Sequence, residues 1–179
     1  MATYIDWAGK DYLDAYLYDP KDADDTMYGL EGKDTIAGYD GYDILYGGTG
    51  NDKLYGEGSF DDLYGGTGVD QLYGDAPYLG VEGKDPNGDD YFYFDTKDSN
   101  DIFAGQADTI WDFETQDQIF LKGSYDKDYS GTWAPADGDV SIWQKGSDWV
   151  VTWNSSSDTG YHDVLVKGDQ PTLDDISFY

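Results

Sequence analysis

The sequence has no cysteine, so neither disulfides nor thiolate-bound metals are available to hold it together. It has no arginine either: ten lysines stand against 38 acids, for a formal net charge of −28. Nucleic acid repels such a polyanion, so it is not expected as a partner. Glutamate is scarce, with 4 Glu against 34 Asp. Acid needed only for solubility would draw on both, whereas Asp favours turns and short-armed metal loops and disfavours helix. No apolar run approaches a membrane span. Met1 to Tyr12 lacks the succession of basic, apolar and small residues of a cleavable signal peptide, so none is expected. An aromatic content of 17% argues against disorder, and 179 residues suit one long, shallow domain or one with a small appendage.

What the chain has in abundance is a period. From Pro20 to Tyr73 six nine-residue units run without gaps, starting at Pro20, Gly29, Gly38, Gly47, Gly56 and Gly65, on the pattern G-G-x-G-x-D-x-U-x with U a large apolar residue. The sixth position is always Asp: Asp25, Asp34, Asp43, Asp52, Asp61 and Asp70. The eighth is Met27, Ile36, Leu45, Leu54, Leu63 and Leu72, and the ninth is Tyr in every unit but one, which has Ala37. Glycine recurs at the fourth position as Gly32, Gly41, Gly50 and Gly68.

Each column has a chemical purpose. Glycine permits a tight turn whose carbonyl oxygens aim inward, a hard divalent cation takes six to eight such oxygens, and Asp adds a charged one. The last residues of a unit alternate out, in, out, and can pair with copies of themselves. Two units per turn of a coil would stack alternate units into two parallel sheets with the eighth-position residues inside. Asp25, Asp43 and Asp61 then form one ladder and Asp34, Asp52 and Asp70 the other. Carboxylates stacked about 4.8 Å apart repel each other, so each rung calls for a cation. Mg²⁺ is disfavoured because it demands a smaller octahedral cage.

Units such as GGTGNDKLY (Gly47 to Tyr55) and GGTGVDQLY (Gly65 to Tyr73) resemble the Ca²⁺-binding repeats of RTX proteins. The resemblance implies an all-β chain, a parallel β-roll with Ca²⁺ between successive turns. About four ions would sit in the regular part, with one or two more at the ends. The ligands it implies are the six Asp side chains and backbone at Gly29, Gly32, Gly38, Gly41, Gly47, Gly50, Gly56, Gly65 and Gly68. Pro20 and Ala23 mark the first unit as a cap, and Ser59 replaces Gly in the fifth.

Residues 1–19 form an N-terminal cap, read equally well as a short helix or an irregular cover over the coil's open end. Residues 20–73 are the roll, and 74–122 an inserted loop from Gly74 to Lys84 followed by a continuation, with Asp90 at a sixth position as a further ligand. Ala107 to Phe113 and Asp117 to Leu121 resemble the closing segment after the repeats of serralysin-type proteases. Residues 123–179 read as antiparallel β: Val140–Trp143, a Lys145–Asp148 turn, Trp149–Trp153, a Ser-rich loop and Tyr161–Val166. This ending resembles that of RTX proteins exported by type I secretion, whose uncleaved C-terminus is the export signal.

No catalytic activity is expected of this chain alone. His162, the only histidine, lies mid-strand without a nucleophile beside it, and no pair stands out among so many carboxylates. The tyrosine columns, Tyr28, Tyr46 and Tyr64 on one face and Tyr55 and Tyr73 on the other, are read as cross-strand packing, with a sugar platform as the alternative. Trp143 is expected to face Trp149 across the hairpin. Thr49 and Thr67 align, but two rungs are too few for an ice-binding rank. The repeats, with what the resemblance implies, lead to the expectation of a secreted, extracellular, Ca²⁺-binding β-roll that folds on binding after type I export. The alternatives are a Ca²⁺-dependent module for an extracellular polysaccharide such as a polyuronate, or the non-catalytic tail of a larger protease, lipase or epimerase.

Overall fold

The computed structural model describes residues 2–5, 12–14, 24–75, 88–95, 107–122, 140–154 and 161–179. The greater part of the expected insertion, the first residues of the Pro20 unit, the Ser-rich loop and the side chains of the N-terminal cap lie outside the described residues. Among those described, the strands are β1 Ala2–Ile5, β2 Tyr12–Asp14, β3 Asp25–Tyr28, β4 Glu31–Gly32, β5 Thr35–Asp40, β6 Asp43–Gly50, β7 Lys53–Gly58 and β8 Asp61–Thr67. They continue as β9 Gln71–Tyr73, β10 Tyr91–Phe94, β11 Asp108–Phe113, β12 Gln118–Leu121, β13 Val140–Lys145, β14 Asp148–Asn154, β15 Tyr161–Gly168 and β16 Ile176–Phe178.

Alternate units fall into two sheets. The first has the order β1-β3-β6-β8-β10-β12-β16, with β4 also on β6, and the second β13-β14-β15-β11-β9-β7-β5-β2. Within the repeats every pairing is parallel and offset by two units, as in Asp43 opposite Asp61, Leu45 opposite Leu63 and Leu54 opposite Leu72. Two nonapeptides per turn therefore make a parallel β-roll. Thr49 aligns with Thr67, and the column continues to Glu31 rather than to a third threonine.

The core is two columns of eighth-position side chains. Met27, Leu45, Leu63, Phe92, Ile119 and Ile176 line one sheet, and Ile36, Leu54, Leu72, Ile110 and Val166 the other, all fully buried. Each contributes roughly 1.5–3 kcal/mol by leaving water, but a turn brings only two of them. Such a core is thin.

The ends are covered by more strand. β1 and β2 pair in parallel with β3 and β5, so the described part of the N-terminal segment is strand, not the short helix allowed by the sequence. An open sheet edge presents unpaired amides and carbonyls that select an extended partner. At the other end β15 lies parallel to β11 and antiparallel to β14, which changes the sheet from parallel to antiparallel. After a single 3-10 turn at Leu173–Asp175, β16 closes the first sheet against β12. In the β13–β14 hairpin Trp143 faces Val150 and Trp149 faces Gln144, so the two tryptophans are offset by one residue rather than opposed. Pairing Lys145 with Asp148 leaves a two-residue turn at Gly146 and Ser147, and that turn sets the register.

Positive φ recurs at the second and fourth positions of the units. Gly48 and Gly50 have φ of 108° and 137°, while Glu57 and Ser59 are held at 84° and 82° without glycine's freedom. A Cβ on Gly50 would also collide with the carbonyl oxygen of Gly32 one turn away. Replacing Ser59 by Gly is expected to stabilise the folded chain by about 1 kcal/mol. Gly50→Ala should destabilise it by at least about 2 kcal/mol. Thermal melts of both variants in saturating CaCl₂ check the pair; similar melting temperatures would refute the backbone account.

Candidate metal centre

The sixth-position aspartates begin their strands at the turn and point inward, out of water. Asp25, Asp34, Asp43, Asp52, Asp61, Asp70 and Asp90 are all 0–1% exposed. On one flank the Asp25 amide N–H donates to Asp43 Oδ1 at 2.7 Å, Asp43 to Asp61 at 2.8 Å, Asp61 to Asp90 at 2.9 Å and Asp90 to Asp117 at 3.0 Å. On the other, Asp34 donates to Asp52 at 2.8 Å, and Asp52 to Asp70 and Asp70 to Asp108 at 2.7 Å. Each carboxylate therefore clamps the turn before it through one oxygen.

The second oxygen has another situation. Oδ2 of Asp43, Asp52, Asp61 and Asp90 is buried with no hydrogen-bond partner. It points at the first glycine of its own unit: a Cβ on Gly47 would stand 2.7 Å from Asp52 Oδ2 and 2.5 Å from the Gly65 carbonyl oxygen. Gly29 and Gly65 stand in the same relation to Asp34 and Asp70, and Gly38 and Gly56 crowd Asp43 and Asp61 more closely still. The fourth-position glycines Gly32, Gly41, Gly50 and Gly68 keep the left-handed conformation that turns the loop around this spot. A bare carboxylate oxygen beside backbone carbonyls, without a donor, has the chemistry of a hard-cation ligand. Among the described residues no group of three His, Cys, Asp or Glu side chains is placed to hold an ion by itself, so such a site draws on backbone oxygens as well.

Burial sets the electrostatics. It pushes the Asp43 carboxyl up to about 8, with Asp25, Asp24 and Asp40 adding to the rise, and that of Asp52 to about 6, where Lys33 opposes it. Asp117 is raised by burial to about 7. Asp61 and Asp90 are held well above the usual carboxylate range by burial and then by neighbouring carboxylates.

Two ladder members escaped the sequence reading. Asp108 and Asp117 keep the D-x-U-aromatic half of the unit in Asp108-Thr109-Ile110-Trp111 and Asp117-Gln118-Ile119-Phe120, and only the glycine half is lost. Gly74 faces Asp90 Oδ2 as Gly65 faces that of Asp70, so Gly74 and Asp75 open this turn. The ninth-position rings stack outside the ladders as Tyr28, Tyr46, Tyr64, Tyr93 and Phe120 at 4.2–4.8 Å. On the second sheet Tyr55, Tyr73 and Trp111 stack, and Lys167 Nζ caps the column 3.9 Å from the Trp111 ring. His162 is buried against Trp153, with ring centroids 5.5 Å apart.

A model of the RTX calcium-binding nonapeptide repeat, in four copies, matches residues 21–54 and 46–76. Residues 21–76 are RTX calcium-binding repeats, wound here into a Ca²⁺-binding β-roll. Two solved structures similar to the chain are solution structures of subunits from the Azotobacter vinelandii mannuronan C5-epimerase. AlgE6R3 is 24% identical, with 94% of this chain and 78% of that one covered and a TM-score of 0.47. AlgE6R2 is 23% identical, with 96% and 92% covered and a TM-score of 0.44. No curated protein sequence matches the chain. Among the described residues no helix is long and apolar enough to cross a membrane.

The raised carboxyls give a pH dependence whose sign is opposite to that of a salt-bridged acid. A group whose folded pKa exceeds its unfolded value of about 3.9 favours the fold while protonated and loses that contribution as pH rises through the folded value. The loss therefore begins above about 3.9 and is complete by about 6 for Asp52, about 7 for Asp117 and about 8 for Asp43. In EDTA the far-UV β signal is therefore expected to be stronger at about pH 5 than at about pH 8.5, and in millimolar CaCl₂ to be flat across the range. Equal spectra at the two pH values in EDTA would contradict it.

Proposed function

We propose that the chain is a secreted, non-catalytic module whose folding is driven by Ca²⁺. In this reading Asp25, Asp34, Asp43, Asp52, Asp61, Asp70 and Asp90 ligate the ions. Backbone oxygens of the turns at Gly29, Gly32, Gly38, Gly41, Gly47, Gly50, Gly56, Gly65 and Gly68 complete the shells. The observation that carries it is the row of buried carboxylate oxygens without a donor at Asp43, Asp52, Asp61 and Asp90. A buried anion without a partner costs several kcal/mol, and a divalent cation between two rungs offsets the charge of both. Where Ca²⁺ is scarce, repulsion within a chain of net charge −28 keeps it open and exportable by a type I machinery; where Ca²⁺ is millimolar the coil closes. Four to six ions would remove only about 8 to 12 charges, so the folded surface stays acidic.

A second reading is favoured by the half-buried stack of five rings from Tyr28 to Phe120, a continuous aromatic column whose ring edges line the outer side of the sheet for an extended sugar chain to follow. An acidic polysaccharide on so acidic a surface would need Ca²⁺ as a bridge.

Calorimetric Ca²⁺ titration with parallel circular dichroism tests the first reading. Asp43→Asn and Asp52→Asn keep the oxygen that accepts the neighbouring amide and lose the charge, so each should weaken Ca²⁺ binding about tenfold at its own rungs and raise the folding midpoint. A chain equally folded in EDTA and CaCl₂ would end this reading. Retention on a polyuronate resin in Ca²⁺, lost in Tyr46→Ala, would favour the second.

A further inference from the structure

The two flanks of the roll are built differently. Within the repeats, turns from the first sheet to the second read Gly29-Leu30-Glu31-Gly32-Lys33, Gly47-Gly48-Thr49-Gly50-Asn51 and Gly65-Gly66-Thr67-Gly68-Val69, with one exposed Glu and one Lys, while the later connection after Phe94 has Asp95, Asp98 and Asp101 in its sequence. Turns from the second sheet to the first bring in acids beyond the ladder: Asp40 and Glu57, both buried, then Asp75, and Asp112 with Glu114. Asp112 stands where each earlier turn of this flank has its first glycine, and Asp75 where the glycine-rich units have their second.

Among the described residues, Gly74 and Asp75 together with Gly88 to Asp90 lie against the turn from Asp112 to Asp117. The Gly74 amide N–H donates to Asp112 Oδ1 at 3.0 Å, Gly88 to Asp75 Oδ1 at 3.1 Å, and Asp90 to Asp117 Oδ1 at 3.0 Å. Asp90 is fully buried, and its Oδ2 has no hydrogen-bond partner and aims into this space at Gly74. We propose that this junction of Gly74, Asp75 and Asp90 with Asp112 to Asp117 is a second class of cation site, one that binds a hard divalent cation more tightly than the repeat sites and fills before them. The inference rests on the Ca²⁺ reading of the ladders. Ligand charge sets the affinity of such sites, and two further carboxylates beside a divalent ion in a poorly solvated turn strengthen it about tenfold each.

The test is calorimetric titration of the full chain with CaCl₂, with circular dichroism at saturation as the folding control. Wild type should show a tight class and a weaker class. Asp112→Asn and Asp75→Asn each keep the oxygen that accepts the Gly74 or Gly88 amide, so only charge is lost; each should weaken the tight class about tenfold and spare the weak one. Asp52→Asn should do the reverse. If Asp112→Asn does not fold in saturating CaCl₂, Asp75→Asn carries the same expectation. A single class of sites, or a tight class untouched by the folded variants, would overturn the second site while leaving Ca²⁺-driven folding intact. Absence of any Ca²⁺ binding by wild type would overturn both.

Discussion

A buried carboxylate held in place by the backbone of the neighbouring turn is the constraint on which this structure depends. Each sixth-position Asp spends Oδ1 on the amide of the Asp 18 residues before it within the repeats, so its position is fixed by the coil and fixes the coil in return. The bond is charge-assisted and sits where water is excluded, which makes it strong. It also forces the other oxygen into the interior beside carbonyls, the worst place for an anion and a good place for an anion with a cation. In the proposed reading, fold and ion binding are therefore one equilibrium rather than two.

The period made most of this visible in the sequence. Three columns spaced by nine give the coil, the inward face, the aromatic stack and the Asp ladders directly, because each column does one job at one place in every turn. The register of two units per turn follows from the same spacing and reappears as Leu45 opposite Leu63. Where the jobs are divided the signal fades. Asp108 and Asp117 keep the strand half of the unit without its glycines, and Gly74 is cut off from Asp90 by residues outside the period. The N-terminal pairing of β1 and β2 could not be read from spacing at all, because an edge strand is selected by the sheet it meets.

The aromatic columns are the second consequence of the period. A ninth-position ring repeats at the strand separation, close to the contact distance of stacked rings, so Tyr28 and Tyr46 meet at 4.8 Å with planes only 5° apart. Such stacks add about 0.5–1.5 kcal/mol per ring pair and shield the outer side of strands whose inner side holds one apolar residue each. The stack also explains the tolerance for a weak turn. Glu57 and Ser59 keep a left-handed backbone without glycine because strands on both sides of them are pinned by rings and by the core columns.

A core of two columns also decides how the chain can end. A globular domain hides its last strand under a second layer, whereas a coil with one inward residue per strand and turn offers nothing wide enough to cap it. Val164 answers this on the second sheet by standing where the next Asp would be, opposite Asp108. An apolar side chain there needs no cation, so the ladder stops without leaving an unmatched rung. From that point the strand direction reverses, and β13 and β14 add a two-sided sheet in which Val150 and Val151 are buried on opposite faces. The antiparallel portion is thus buried on both faces, and β15 joins it to the coil by pairing with β11 on one side and β14 on the other.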